Sequence, residues 1–139
     1  MRAIQIESIG NVAVREVPDP VAGAGEALVA LRAAALNHRD VWIKVGQYAG
    51  LKYPCIPGSD GAGVVEAVGP GGDASWVGRE VIINPSLGWG AGESSQGQDF
   101  EILGLPRQGT LAERIAVPVA QLAPRPWTIR GRQVRSKRR

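Results

Sequence analysis

The sequence predicts a mainly β fold, a small and partly open barrel with short helical turns, and three features carry that prediction. Short runs of β-branched and apolar residues recur along the chain. The 19 Gly and 10 Pro of its 139 residues fall between those runs, where turns are needed. Almost nothing reads as helix.

Taken in order, residues 1–6 alternate in a β-rich pattern, and residues 11–17, with Val12, Val14 and Val17, read as a hairpin partner across Gly10-Asn11. Pro18-Asp19-Pro20 and Gly23-Ala24-Gly25 interrupt the pattern. Residues 26–35 form a nearly continuous apolar run, the signature of a buried strand. Asn37 follows that strand's end, and either Asn37 or Asp40 is placed to cap a short helical turn over 41–45 that Gly46 stops. Residues 54–63, PCIPGSDGAG, make a rigid turn into a second strand over 63–68, which Gly69-Pro70-Gly71-Gly72 ends. Val81-Ile82-Ile83 is a further strand. Residues 84–103, with Gly88, Gly90, Gly92 and Gly97, read as one long irregular loop, a length that usually carries function or mobility. Strand pattern returns over 109–117, and 119–122 close the readable part, giving six or seven strands.

Composition narrows the class. With 44% hydrophobic and 21% charged residues, the chain suits one small globular domain or a piece of a larger one, and it excludes collagen, coiled coil and wholly disordered chains. No apolar stretch has the length of a membrane span or a signal core. Cys55 is the only cysteine, so no internal disulfide can form, which fits a reducing, cytoplasmic setting. With one Cys and one His, a zinc site of the usual Cys and His ligands is arithmetically excluded.

Charge is uneven. Residues 1–122 carry a net −4, and residues 123–139 a net +7, so the basic balance belongs to the tail. As an arm for nucleic acid the tail has no support from the acidic body, which offers no basic face for a phosphate track. A solvated end, or a reading frame that leaves its family near Pro126, accounts for it better.

Two kinds of chemistry are set aside on the residues. Gly58-x-x-Gly61-x-Gly63 is spaced like an inverted dinucleotide fingerprint, but Pro57 precedes it and a Val-rich strand follows, where a phosphate cradle needs a helix. Tight backbone packing explains those glycines. No nucleophilic triad can be assembled, since His38 is the only imidazole and no Ser near it has an elbow sequence.

The order Ala-Leu-Asn37-x-x-Asp40, Gly46-x-Tyr48, then Pro57-Gly58-Ser59-Asp60-Gly61-Ala62-Gly63, followed by Val77-Gly78-Arg79-Glu80-Val81 and Gly109-Thr110-Leu111-Ala112-Glu113, resembles the N-terminal GroES-like domain of medium-chain dehydrogenase/reductases. Within them it is most similar to the quinone-oxidoreductase and zinc-free alcohol-dehydrogenase-like branches. The match spans residues 1–126 as a GroES-like domain and leaves 127–139 as a basic tail, disordered or out of the family frame.

That resemblance implies a GroES-like partly open β-barrel and a NAD(P)-dependent oxidoreductase acting on carbonyl, enone or quinone substrates. Where zinc members place a catalytic Cys this chain has Asn37, and where they place a ligand His it has Ser59, so no metal is implied. The loop after Asn84 lacks the four Cys of their structural lobe. Asp40, which orients the ligand His in those members, is left with local hydrogen bonding. Asn37 and Tyr48 become the candidates for the substrate face, polarising an oxygen with hydrogen bonds while hydride comes from a nicotinamide. Asn37, Tyr48 and Asp40 are therefore the candidate site set. No strand-GxGxxG-helix unit is present for NAD(P)H, so the chain supplies half a cleft and is expected to bind no cofactor and to be inactive alone, as a truncated or frameshifted reading frame would be. Self-association through the uncovered cleft face is a further expectation. The alternative function is a stand-alone small-barrel interaction module with a nucleic-acid-binding tail.

Overall fold

In the computed structural model, which describes residues 1–92 and 94–126, local sequence and pairing agree closely. Strands β1 (Arg2–Ser8) and β2 (Asn11–Glu16) form an antiparallel hairpin. Gly10 turns it with φ 77°, a conformation that a side chain would resist.

The main sheet has five antiparallel strands in the order β8-β3-β4-β5-β9. They are β3 (Glu26–Ala34), β4 (Gly61–Val68), β5 (Glu80–Ile83), β8 (Arg114–Pro118) and β9 (Leu122–Pro124). No ladder joins β8 to β9 among the described residues, so the sheet stays open. Single bridges, Ala3 with Ala112 and Ile6 with Cys55, tie the hairpin to the rest.

The run over 26–35 is central by pairing, with β4 on one side and β8 on the other, but it is not buried on both faces. Ala27 and Val29 are fully buried, whereas Arg32, Ala33 and Ala34 are exposed. Alternation is what an antiparallel sheet with one solvated face requires. Among the described residues nine strands replace the six or seven expected, because the loop over 84–103 is pinched by a two-residue ladder between β6 (Ser86–Leu87) and β7 (Glu101–Ile102). Beyond that ladder Trp89 stands edge-on to Phe100 at 5.5 Å and 90°.

Two apolar clusters hold the fold. One lies against the main sheet and includes Val29, Val65, Val81, Ile115 and Val117. The other gathers Ile6, Ile43, Cys55 and Leu105, with Tyr48 and Tyr53 packed on it. Ile43 belongs to α1 (His38–Lys44), the one α-helix among the described residues, so this second cluster fixes the helix that follows β3. No helix among the described residues is long and apolar enough to cross a membrane.

Candidate functional site

The end of β3, the start of α1 and the turn before β4 meet at one place. Asn37 is the N-cap residue, extended at φ −117° and ψ 159°. Its backbone N–H donates to Asp40 Oδ2 at 2.8 Å, so the acid three residues on closes the helix start. Asp40 Oδ1 accepts from the Gly58 N–H at 3.0 Å. Both carboxylate oxygens are thus engaged, as a side chain only 5% exposed requires. Asp40 clamps α1 to the 57–60 turn.

The Asn37 amide donates through Nδ2 to Asp60 Oδ2 at 2.9 Å. Asp60 is exposed, and its carbonyl accepts from Thr110 Oγ1 at 2.7 Å. Beside it a shallow groove of about 350 Å³ runs past Ala33, Ala34, Ala62 and Ile82, with Asp60 the only charged residue on its wall. Ser59 is buried; its hydroxyl donates to the Leu103 carbonyl at 2.9 Å and accepts from Arg39 Nη1 at 2.7 Å.

Arg39 is the residue that sequence reasoning missed. Its guanidinium lies 5.0 Å above the Tyr48 ring, and both Nε and Nη2 donate to the Tyr48 hydroxyl at 3.3 Å. Nη1 also reaches the Leu103 carbonyl, and Nη2 donates to the Leu105 carbonyl at 2.9 Å. Asn37 and Tyr48 do not touch; Arg39, Ser59 and Asp60 link them. His38 opens α1 at the surface with its ring 6.4 Å from Trp42 and takes no part. Burial pushes the Cys55 thiol up from its usual range, a trend Asp40 supports and Arg39 opposes.

A family model for the alcohol dehydrogenase GroES-like domain matches residues 23–127. The chain belongs to the alcohol dehydrogenase GroES-like family. Among relatives of this GroES-like domain, a zinc-type alcohol dehydrogenase-like protein of Schizosaccharomyces pombe is 36% identical over 112 residues, covering 80% of this chain and 32% of its own. The starvation-sensing protein RspB of Escherichia coli is 31% identical over 126 residues, covering 85% of this chain and 37% of its own. The crystal structure of an NAD-dependent alcohol dehydrogenase superposes with a TM-score of 0.84 at 41% identity, covering 93% of this chain and 40% of that one. The chain therefore spans about a third of the curated relatives it matches and two fifths of the solved one. The medium-chain oxidoreductase family and the mainly β GroES-like fold agree with the reading from the residues.

The cue for Arg39 was present but weak. An Arg between a cap residue and a buried Asp reads as one more polar residue of a helix start. What sets it apart is the contact with carbonyls more than sixty residues away, which no local pattern encodes.

Proposed function

We propose that this chain is the substrate-side domain of a nicotinamide-dependent oxidoreductase that reduces carbonyl, enone or quinone compounds without a catalytic zinc. The observation that carries this reading is the pair of donors left over at the site. One N–H of the Asn37 amide is spent on Asp60, and the Tyr48 hydroxyl accepts from Arg39 while its own proton has no acceptor among the described residues. Donors of this kind polarise a substrate oxygen by hydrogen bonding.

The donor set does not suit zinc. Ser59 stands at a ligand position with its hydroxyl already shared between a guanidinium 2.7 Å away and a carbonyl, and a cation there opposes a second cation. Asn37 offers an amide, a poor zinc ligand beside thiolate and imidazole. No three His, Cys, Asp or Glu side chains converge among the described residues.

On this reading the glycine run before and within β4 is not a nicotinamide phosphate cradle. Gly61 and Gly63 lie in β4, and a Cβ on Gly63 would strike the Ala30 carbonyl, so these glycines serve strand approach and not a pyrophosphate. This reading assigns hydride donation to chain outside the domain and expects the domain alone to be inactive. A single buried thiol suits a reducing, cytoplasmic setting.

The test is a titration of the full chain with cyclohexanone followed by amide NMR. Saturable shifts at Asn37, Tyr48 and Asp60 are expected. Shifts confined to the separate cavity of about 380 Å³ beside Met1, Val17 and Arg107, or none at all, would overturn the reading.

A further inference from the structure

We infer that Arg39 is a positioning residue that holds the Tyr48 hydroxyl as an outward hydrogen-bond donor toward substrate; this rests on the reading of Tyr48 as part of the substrate face. A guanidinium has five N–H donors and no acceptor. All five are used here: Nε on the Tyr48 hydroxyl, the Nη1 pair on Ser59 Oγ and the Leu103 carbonyl, the Nη2 pair on the Tyr48 hydroxyl and the Leu105 carbonyl. No donor is left for a ligand. Arg39 therefore acts through its neighbours.

Its partners are all neutral. Among the described residues no carboxylate lies within 4.0 Å of Arg39, although seven other cationic pairings with acids are present. An uncompensated cation in a half-buried place is an unusual structural choice, because burial of charge without a partner is costly. The arrangement around it is correspondingly exact in space. Gly104, at φ 94°, leaves room for it, since a Cβ there would come within 2.9 Å of Nη1.

The consequence for Tyr48 follows from donor and acceptor arithmetic. A phenol oxygen that faces a donor-only group can only accept on that side, so its own proton must point elsewhere. The guanidinium above the ring further fixes the ring plane. Tyr48 is thereby held in one orientation with its proton available, which lowers the ordering cost of a hydrogen bond to an incoming carbonyl. A serine or carbonyl partner in place of Arg39 would leave the hydroxyl free to turn inward and donate.

The experiment uses the full chain and cyclohexanone carrying 13C at its carbonyl, whose resonance moves downfield when the oxygen accepts a hydrogen bond. Wild type is expected to show the downfield shift at saturation, Tyr48→Phe to lose it, Arg39→Gln to lose most of it although Tyr48 remains, and Arg39→Lys to restore part. A shift unchanged in Tyr48→Phe would overturn the reading of Tyr48 itself. A shift lost in Tyr48→Phe but kept in Arg39→Gln would leave that reading standing and overturn the role of Arg39. Should Arg39→Gln fail to fold, the Arg39 Nε–H resonance of wild type decides: it must be slowly exchanging and must move in Tyr48→Phe, and an unmoved resonance overturns the proposal.

Discussion

Arg39 Nη1 and Ser59 Oγ meet at 2.7 Å, so a cation sits beside the turn where the resemblance to zinc-binding members would place a ligand. The replacement is chemical as well as positional, since Ser59 has both its donor and an acceptor lone pair committed. Metal analysis of the purified chain is therefore expected to find no stoichiometric zinc. Restoring ligand types with Asn37→Cys and Ser59→His is expected to gain little affinity while Arg39 remains. A one-to-one zinc content in the unaltered chain would contradict the electrostatic argument.

Asp40 supports this turn from the other side. Its two oxygens serve the N–H groups of Asn37 and Gly58, and it is buried. Asp40→Ala strands both donors and is expected to cost about 1–3 kcal/mol per unpaired buried group. Asp40→Asn keeps one acceptor and should lose roughly half as much. Urea unfolding midpoints of the two variants check the order, and equal midpoints for wild type and Asp40→Ala would contradict it.

Gly63 tests the reading of the 58–63 glycines as packing devices. A Cβ built there would meet the Ala30 carbonyl and carbon of the neighbouring strand, atoms that cannot swing away as a side chain can. Gly63→Ala is expected to destabilise by about 1–3 kcal/mol through overpacking of β3 against β4. Thermal melts read the effect.

These residues also mark how far the sequence could be read. Strands β1 to β5 were legible because alternation and Gly or Pro breaks are local signals; a short helix after β3 was legible too, but it was expected over 41–45 with either Asn37 or Asp40 as its cap, whereas α1 runs His38–Lys44 with Asn37 as N-cap. The ladder of β6 and β7 was not, since two-residue strands separated by a glycine-rich loop carry no periodicity. At the site, Asn37 and Tyr48 could be singled out only through the family motif. Arg39 escaped because its meaning lies in Leu103, Leu105 and Tyr48, which come together only in the folded chain.

Stability should respond to pH at both ends. Glu7, Asp19, Asp73 and Glu113 all have carboxyls held below the usual range, chiefly by hydrogen bonds from Arg15, the N-terminal ammonium, Ser75 and the Arg2 N–H respectively. A carboxyl lowered in the folded state stabilises above its unfolded value and ceases to as pH falls through its folded one. Stability is thus expected to decline below about pH 4. High salt should reduce this dependence, because these groups are exposed.

The Cys55 thiol has the opposite sign. Raised by burial, it favours the folded state while protonated, and that contribution fades once the unfolded thiol ionises, above about pH 8.5. Alkylation by iodoacetamide at pH 8 is expected to be much slower in folded than in urea-unfolded chain. Equal rates would mean that the pocket of Ile6, Ile43 and Leu105 does not exclude water.

The last expectation concerns the surface of α1. This short helix buries only Asp40 and Ile43, and it leaves Val41 at 51% and Trp42 at 45% exposure, flanked by Leu36 at 76% and Val45 at 42%. Large apolar groups gathered on one short segment favour association, because each contact removes apolar area from water at roughly 25 cal/mol per Å². The full chain is expected to sediment as a species whose mass rises with concentration, and Trp42→Glu, which places a charge in the middle of the strip, is expected to return it to monomer. Sedimentation at two salt concentrations separates the causes: apolar association strengthens or holds as salt rises, whereas association carried by the basic residues 127–139 weakens. A wild-type chain that stays monomeric across the concentration range would show that α1 tolerates solvent as it stands.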